Sequence, residues 1–150
     1  MPQAWCPHVT VASVIERNGK FLFVEELAGQ NSVLNQPAGH WEAHESLLEA
    51  VARETLEETA YHIQPSALIG VYRWLHPQNN FTYLRFAFTG DILAHDAERP
   101  LDNGILRALW LTPTELQAAS ARHRSPLVQL CLQDYLAGKR YPLDLLTHLT

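Results

Sequence analysis

The chain has 150 residues, of which 47% are hydrophobic and 18% charged, and its formal net charge is −5. This length suits a single domain, residues 1–150, that buries its own core, and the balance of apolar and charged residues excludes a mainly disordered chain. The negative charge argues against a broad nucleic-acid-binding surface, although bound cations would still allow a small phosphate ligand.

Cys6 and Cys131 are far apart and form no CxxC pair, a pattern typical of a cytoplasmic protein with free thiols. No apolar run approaches the roughly 18–20 residues of a membrane span. The first seven residues also lack the basic and apolar regions of a signal peptide. We therefore expect a cytoplasmic protein with no membrane partner.

The N-terminal part of the chain predicts strands separated by loops. Residues 8–15 are rich in β-branched side chains, Asn18-Gly19 is a strong turn signal, and residues 21–25 form the predicted returning strand of a hairpin. Residues 28–35 are interpreted as a polar loop. The proline and glycine of residues 36–40 indicate a short segment in which regular secondary structure is interrupted.

Residues 46–59 form the clearest predicted helix. Ser46 is a good N-cap, and Glu49 three residues later completes a capping box. A stripe of apolar to neutral residues at helical spacing indicates the face that packs on the rest of the protein. Its members are Leu47, Leu48, Val51, Ala52 and Thr55.

The second half of the chain predicts a strand pair, a loop, one further strand and two helices. The paired strands span residues 68–75 and 81–88, residues 90–103 form a long polar loop, and residues 106–111 form the last strand. Thr112-Pro113 and Ser125-Pro126 begin the two helices. This succession predicts the α+β class, with a mixed sheet packed between helices.

Three glutamates share one face of the predicted helix. Glu57 and Glu58 lie three and four residues after Glu54, a spacing at which like charges cost about 0.2–0.5 kcal/mol per pair even when exposed. A hard divalent cation reverses the sign of this interaction, because Mg²⁺ prefers carboxylate, water and phosphate oxygens as ligands. The glutamates could instead form a solvated helix face, which is the usual interpretation of a lone acidic run.

Arg53, Glu45 and Gly39 lie close to these glutamates in sequence. We expect Arg53 to pair with Glu45 and with one of the three glutamates, and so to orient the metal ligands from behind. An ordinary intrahelical pair with Glu49 or Glu57 is the alternative. Gly39 would allow its backbone carbonyl to approach an ion closely.

Together these residues resemble a known catalytic motif. The pattern Gly39-x5-Glu45-x7-Arg53-Glu54-x2-Glu57-Glu58 is similar to the Nudix box, which here spans residues 39–61. The resemblance implies a Nudix hydrolase with an α/β/α sandwich that cleaves phosphoanhydride bonds and depends on Mg²⁺, for which Mn²⁺ can substitute. It also implies Gly39, Glu54, Glu57 and Glu58 as metal ligands and Glu45, Arg53, Glu57 and Glu58 as the catalytic set.

Three positions depart from the usual box. Thr55 replaces a bulky aliphatic residue, which we expect to weaken core packing slightly, and Tyr61 replaces the final aliphatic residue. Ala60 replaces the last glycine, which casts doubt on the usual left-handed helix end because alanine disfavours positive φ. None of the three is a ligand position.

Motifs outside the box extend the resemblance to the NudJ-type bacterial phosphatases. They include residues 35–40, 84–86, 110–112, 124–128 and 138–143. This subfamily implies hydrolysis of nucleoside tri- and diphosphates, and of the thiamin precursor 4-amino-2-methyl-5-hydroxymethylpyrimidine pyrophosphate, with release of inorganic phosphate. Three alternatives stay open: a nucleotide-sanitising enzyme that releases pyrophosphate, a non-catalytic nucleotide-binding module, and a metal-stabilised structural domain.

Residues outside the glutamate cluster supply the candidate substrate contacts. His40 follows the Gly39 ligand, Arg85 could clamp a phosphate, and Trp74 could stack on a ring. Asp102 is the candidate general base outside the box, with Glu57 or Glu58 as first choice. Each of these residues could instead have only a structural role, in core packing, on a strand surface or in a solvated loop. Other acidic residues, such as Glu26, are interpreted as solvated surface charges.

The expected partner is a small nucleoside or organic polyphosphate. No nucleic-acid partner is expected. We expect a monomer, because the family implies one and no exposed apolar helix is evident.

Overall fold

The computed structural model describes residues 1–150 and contains eight strands and three α-helices. The strands are β1 His8–Val14, β2 Glu16–Arg17, β3 Lys20–Ala28, β4 Asn31–Asn35, β5 Ala38–His40, β6 Tyr61–Leu75, β7 Thr82–His95 and β8 Ile105–Leu111. The helices are α1 Leu47–Thr59, α2 Pro113–Ala118 and α3 Leu127–Leu136, with 3₁₀ turns at Ser120–Arg122 and Leu143–Leu145. None of these helices is long and apolar enough to cross a membrane.

The strands form two sheets. The mixed sheet has the order β5-β1-β7-β6, in which β1 and β7 are parallel and the other pairs are antiparallel. In the second sheet, β3 pairs antiparallel with β2, β4 and β8. The predicted α+β class with a mixed sheet is confirmed, whereas the second sheet was not predicted.

The predicted hairpin turn at Asn18-Gly19 and its returning strand are confirmed, but the first arm of the hairpin is Glu16–Arg17 and not the whole of residues 8–15. The turn at Asn18-Gly19 joins β3 to the two-residue strand β2, while β1 lies inside the mixed sheet between β5 and β7. The end of β1 is buried over five consecutive residues, as expected for a strand covered on both faces. The two exposed residues of β2, Glu16 and Arg17, suit the edge of a hairpin instead.

Two predicted loops are partly strands. Residues 31–35 of the expected loop 28–35 form β4 against β3, and β7 continues through residues 90–95 of the expected loop 90–103. The partner of this extension is the start of β6, at Tyr61, which lies before the predicted strand. Pairing across the sheet therefore overrides the polar composition of these segments.

Helix α1 covers one face of the mixed sheet and α3 lies on the other. Ala50 and Val51 of α1 pack in a buried cluster with Val11, Leu68 and Phe88. Leu127, Val128, Cys131 and Leu132 of α3 belong to a separate cluster with residues of both sheets. The sheet is thus packed between helices, as predicted.

The helix α1 begins and ends at defined caps. The capping box of Ser46 and Glu49 is present, with both reciprocal hydrogen bonds. Ala60 adopts the left-handed conformation, with φ of 64°, so the doubt about this helix end was wrong. Thr55 is fully buried and its hydroxyl contacts Ser13 Oγ at 2.8 Å, a polar interaction that an aliphatic residue could not form.

Candidate metal and substrate site

Glutamates of α1 meet strand β5 at the edge of the mixed sheet. The backbone N–H of Ala38 donates to Glu58 Oε1 at 2.9 Å. A Cβ added at Gly39 would lie 2.2 Å from Cδ of Glu54, far inside contact distance. Only glycine therefore lets β5 approach the helix this closely.

Arg53 holds the acidic residues around it. Its Nε and Nη2 donate to the two carboxylate oxygens of Glu45 at 2.9 and 2.7 Å, which is the predicted contact in bidentate form. Its Nη1 donates to Glu54 at 2.8 Å and to Glu57 at 3.2 Å. Its Nη2 also donates to the carbonyl oxygen of His40 at 3.1 Å. One guanidinium thus ties the loop before α1, the helix and β5 together.

Burial disfavours the charged form of two carboxyl groups in this cluster and raises the pKa of each. Burial, with the neighbouring charges of Glu26, Glu54 and Asp102, raises the pKa of Glu58 to about 9, although its bond from Ala38 opposes the shift. Burial also raises the pKa of Glu54 despite its bond from Arg53. A bound cation would relieve both effects.

The donor set of the site fits a hard divalent cation. Carboxylates of Glu54, Glu57 and Glu58 lie on one helix and the carbonyl of Gly39 lies on the strand beside it, all oxygen donors. As the side chains stand, no three of the acidic, histidine or cysteine side chains converge closely enough to hold an ion. Glu54 and Glu57 each accept a hydrogen bond from Arg53 through one carboxylate oxygen, so an ion would be bound through the second oxygen of each.

A cavity of about 280 Å³ adjoins this carboxylate cluster. Successive residues of β5 face opposite sides of the sheet. Gly39 faces Glu54 on the α1 side, so its neighbours Ala38 and His40 face the cavity on the other side. The carboxylate cluster and the cavity therefore meet at one strand. The lining includes Thr10, Glu26, Asn35, Ala38, Gly39, His40, Trp74, His76, Asn79, Tyr83, Arg85, Arg124, Ser125 and Leu127.

Three of the four predicted substrate residues line this cavity. His40, Trp74 and Arg85 come from β5, β6 and β7. The nearby aromatic residue Phe81 does not line the cavity, and stacks on His8 with ring centroids 4.6 Å apart.

Asp102 lies outside the cavity lining. Its backbone N–H donates to the carbonyl oxygen of Glu57 at 2.9 Å, beside the C-terminal part of α1. Its charge contributes to the raised pKa values of Glu54 and Glu58. Asp102 is therefore a neighbour of the carboxylate cluster, and its role as a general base stays a prediction.

Comparison with known proteins identifies the family. The model of the NUDIX domain matches residues 6–131. The chain belongs to the Nudix hydrolase family. It is 42% identical over 140 residues to the phosphatase NudJ of Escherichia coli strain K12, a match that covers 93% of this chain and 90% of the relative.

Solved structures agree with this assignment. A NUDIX hydrolase from Nitrosomonas europaea is 50% identical, with a TM-score of 0.95, and the match covers 96% of this chain and 98% of the other. A MutT NUDIX hydrolase from Burkholderia pseudomallei shares the fold, with a TM-score of 0.73 at 17% identity over 87% of this chain and 98% of the other. The chain is accordingly a hydrolase that is similar to the NudJ phosphatases and acts on bonds of the pyrophosphate type.

Sequence reasoning missed several cavity residues of this Nudix hydrolase, among them Glu26, Asn35, Arg124 and Ser125. Glu26 was interpreted as solvated charge and Asn35 as part of a polar loop, while Arg124 and Ser125 were noted only as motif residues. Glu26 accepts a hydrogen bond from Arg124 at 3.0 Å across 98 residues of sequence. No local pattern signals such a contact, because it depends on how β3 and the loop before α3 pack together.

Proposed function

We propose that this enzyme hydrolyses phosphoanhydride bonds in nucleoside tri- and diphosphates and in small organic pyrophosphates, with Mg²⁺ and with release of inorganic phosphate. Hydroxymethylpyrimidine pyrophosphate represents the second substrate class. The observation that carries the proposal is the junction at Gly39 and His40, where a buried carboxylate cluster meets a cavity lined by aromatic rings. The relative's name, phosphatase, supports phosphate as the product.

The carboxylates of the proposed site would hold the cation. Glu54, Glu57, Glu58 and the Gly39 carbonyl are the proposed ligands, and Arg53 positions the first two through its hydrogen bonds. A bound Mg²⁺ would neutralise phosphate oxygens and make water more acidic. Mn²⁺ has the same preference for oxygen ligands and is expected to substitute.

The reaction we propose is a displacement at phosphorus by water. A bond forms between the water oxygen and phosphorus, the anhydride P–O bond breaks, and the leaving phosphate takes the electron pair. Glu57 is our first choice to accept the water proton, because its side chain is 28% exposed whereas Glu58 is buried and occupied by Ala38. Glu45 acts through Arg53, which it clamps with two bonds.

The cavity provides a surface for the organic part of the substrate. Trp74 stacks near Tyr83, with centroids 5.9 Å apart, and His76 lies 4.8 Å from Trp74. Rings arranged in this way can stack on a base or a pyrimidine. The volume of about 280 Å³ is near the lower end of ligand pockets, which run from roughly 300 to 1,000 Å³, and so favours a compact ring.

Product analysis by phosphorus NMR tests the proposal. The wild-type enzyme is incubated with Mg²⁺ and with nucleoside triphosphates, nucleoside diphosphates or the pyrimidine pyrophosphate, beside Glu57→Gln. Glu49→Gln is the matched control, because Glu49 lies on the same helix, is exposed, and a glutamine can maintain its capping bond. We expect stepwise inorganic phosphate, with turnover reduced on the order of 10³-fold in Glu57→Gln alone.

Other products would redirect the assignment. Pyrophosphate released from triphosphates would indicate a nucleotide-sanitising enzyme with the same carboxylate chemistry. No turnover of any compound would contradict the proposal and favour a binding module. Near wild-type turnover in Glu57→Gln would contradict the role given to Glu57.

A further inference from the structure

Arg85 is a buried cation with no acidic partner. It lies in the middle of β7, is 6% exposed and lines the cavity. Its side chain donates to Gln36 Oε1 at 3.0 Å, to Asn35 Oδ1 at 3.1 Å and to Cys131 Sγ at 3.9 Å. No carboxylate lies within ion-pair distance of it.

The hydrogen bonds of Arg85 leave donors unused. A guanidinium carries five N–H groups, and three are engaged by the two amides and the thiol. Nε has no partner, and Nη2 has one further hydrogen. Burial raises the pKa of the Cys131 thiol, so this neighbour is neutral and supplies no counter-charge. An unpaired buried charge is costly, and a ligand that accepts these donors would offset the cost.

A purely structural role for Arg85 would need a counter-charge nearby. The one indirect candidate is Glu26, which accepts from Asn35 Nδ2 at 3.4 Å while Asn35 accepts from Arg85. Glu26 is already paired with Arg124 at 3.0 Å. The hydrogen bonds from Arg85 through Asn35 therefore reach a glutamate whose charge is already neutralised by Arg124, and the charge of Arg85 stays unbalanced.

Arg85 lies close to the aromatic residues Tyr83 and Trp74, which also line the cavity. Tyr83 lies two residues earlier on β7, on the same face and roughly 6.6 Å away at the strand rise, and it pairs with Trp74 of β6. In the other direction the strand order places β1 between β7 and β5, so Gly39 lies about 9–10 Å from the Arg85 backbone at standard strand spacing. A ring stacked on Tyr83 and Trp74 would present one edge to Arg85 and its phosphates to β5.

We propose that Arg85 recognises hydrogen-bond acceptors on the ring of the substrate, at the end remote from the phosphates. The enzyme then selects pyrophosphates of nitrogen- or oxygen-bearing aromatic rings over those of hydrocarbon groups. This inference rests on the proposed function, because it places the phosphates at the carboxylate cluster. It replaces the sequence-based expectation that Arg85 clamps a phosphate.

A pair of matched substrates tests this recognition. Pyrimidin-5-ylmethyl diphosphate and benzyl diphosphate have the same shape, but only the first carries ring acceptors, and both rings are remote from the bond that breaks. We expect kcat/KM to favour the pyrimidine compound by about 10²-fold or more, because the benzyl ring leaves charged donors without a partner. This comparison on the wild-type enzyme does not depend on how a variant folds.

Variants assign the preference to a residue. Arg85→Gln should bring the kcat/KM ratio of the two substrates to within about threefold, because a neutral glutamine amide lacks the charged N–H donors of the guanidinium. Arg73→Gln is the matched control, since Arg73 lies on the adjacent strand β6, is exposed and does not line the cavity. Equal losses on both substrates in Arg85→Gln would show a structural role and overturn the proposal.

Binding separates this inference from the proposed function. The dissociation constants of the two methylene-bridged diphosphate analogues, which cannot be hydrolysed at that bridge, are measured by calorimetry with Mg²⁺. Tighter binding of the pyrimidine analogue through Arg85, with no turnover of either diphosphate, would retain the recognition and refute the hydrolysis. Equal affinities for the two analogues would refute the recognition whatever the turnover.

Discussion

Replacement of Gly39 by alanine isolates one steric contact of the site. The backbone of Gly39 does not have a positive φ, so alanine can adopt its conformation. The new Cβ would nevertheless lie 2.2 Å from Cδ of Glu54 and 2.3 and 2.4 Å from its two oxygens. Contacts of this kind are comfortable only at about 3.5–4.0 Å, so the carboxylate must move by more than about 1 Å.

The displacement of Glu54 should affect activity more than stability. Overpacking of this type costs about 1–3 kcal/mol, which lowers Tm by about 2–4 °C per kcal/mol at this chain length. A ligand or positioning group displaced by about 1 Å costs on the order of 10²-fold in rate. Glu54 also accepts from Arg53 at 2.8 Å, so the same movement disturbs the cluster around that guanidinium.

A double-mutant cycle provides the assay for Gly39→Ala. Phosphate release and thermal melts are measured for Gly39→Ala, Glu54→Ala and the double variant. Because the clash needs the Glu54 carboxylate, the stability cost of Gly39→Ala should fall to near zero in the Glu54→Ala background. An equal loss of Tm in both backgrounds would refute this steric reasoning, as would wild-type turnover by folded Gly39→Ala.

Three further substitutions test other contacts. Arg53→Lys should raise the half-saturating Mg²⁺ concentration and lower kcat/KM about 10–100-fold, because one ammonium cannot replace the fork that orients three glutamates; an unchanged Mg²⁺ titration would contradict this role. Thr55→Val should cost about 1–3 kcal/mol in urea unfolding, since it leaves the buried hydroxyl of Ser13 without its partner; a neutral effect would show that the contact contributes little. Ser46→Ala should cost about 1 kcal/mol through loss of the N-cap, visible as a lower Tm, whereas Ser46→Thr retains the cap and serves as its control. If both variants melt alike, the cap is not the source of the effect.

The carboxylate cluster could be placed from the sequence because its members are local. Glu54, Glu57 and Glu58 lie within two turns of one helix, so helical spacing alone puts them side by side. The contact of Arg53 with Glu45 was also predictable, since only the loop and first turns separate them. The left-handed conformation of Ala60 was not predictable, because local preference disfavours it and the long-range contact of its carbonyl with the N–H of Asp96, at 2.9 Å, is not visible in the sequence.

The cavity could be predicted only in part. Aromatic and basic residues on two strands suggested Trp74 and Arg85, but alternation along a strand leaves the face undecided until the partner strands are known. The pairing of β1 with β7, and of β7 with β6, puts both side chains on the face opposite α1. Glu26 and Arg124 join them through contacts between segments that are 98 residues apart.

Local sequence patterns were sufficient to identify the family, the α+β class and the helix that carries the proposed metal ligands, because such patterns are formed by residues a few positions apart. The tertiary structure decided the division into two sheets, the burial that raises the pKa of Glu58, and the uncompensated charge of Arg85. These depend on long-range packing, where the energy of a residue is set by neighbours that are remote in sequence.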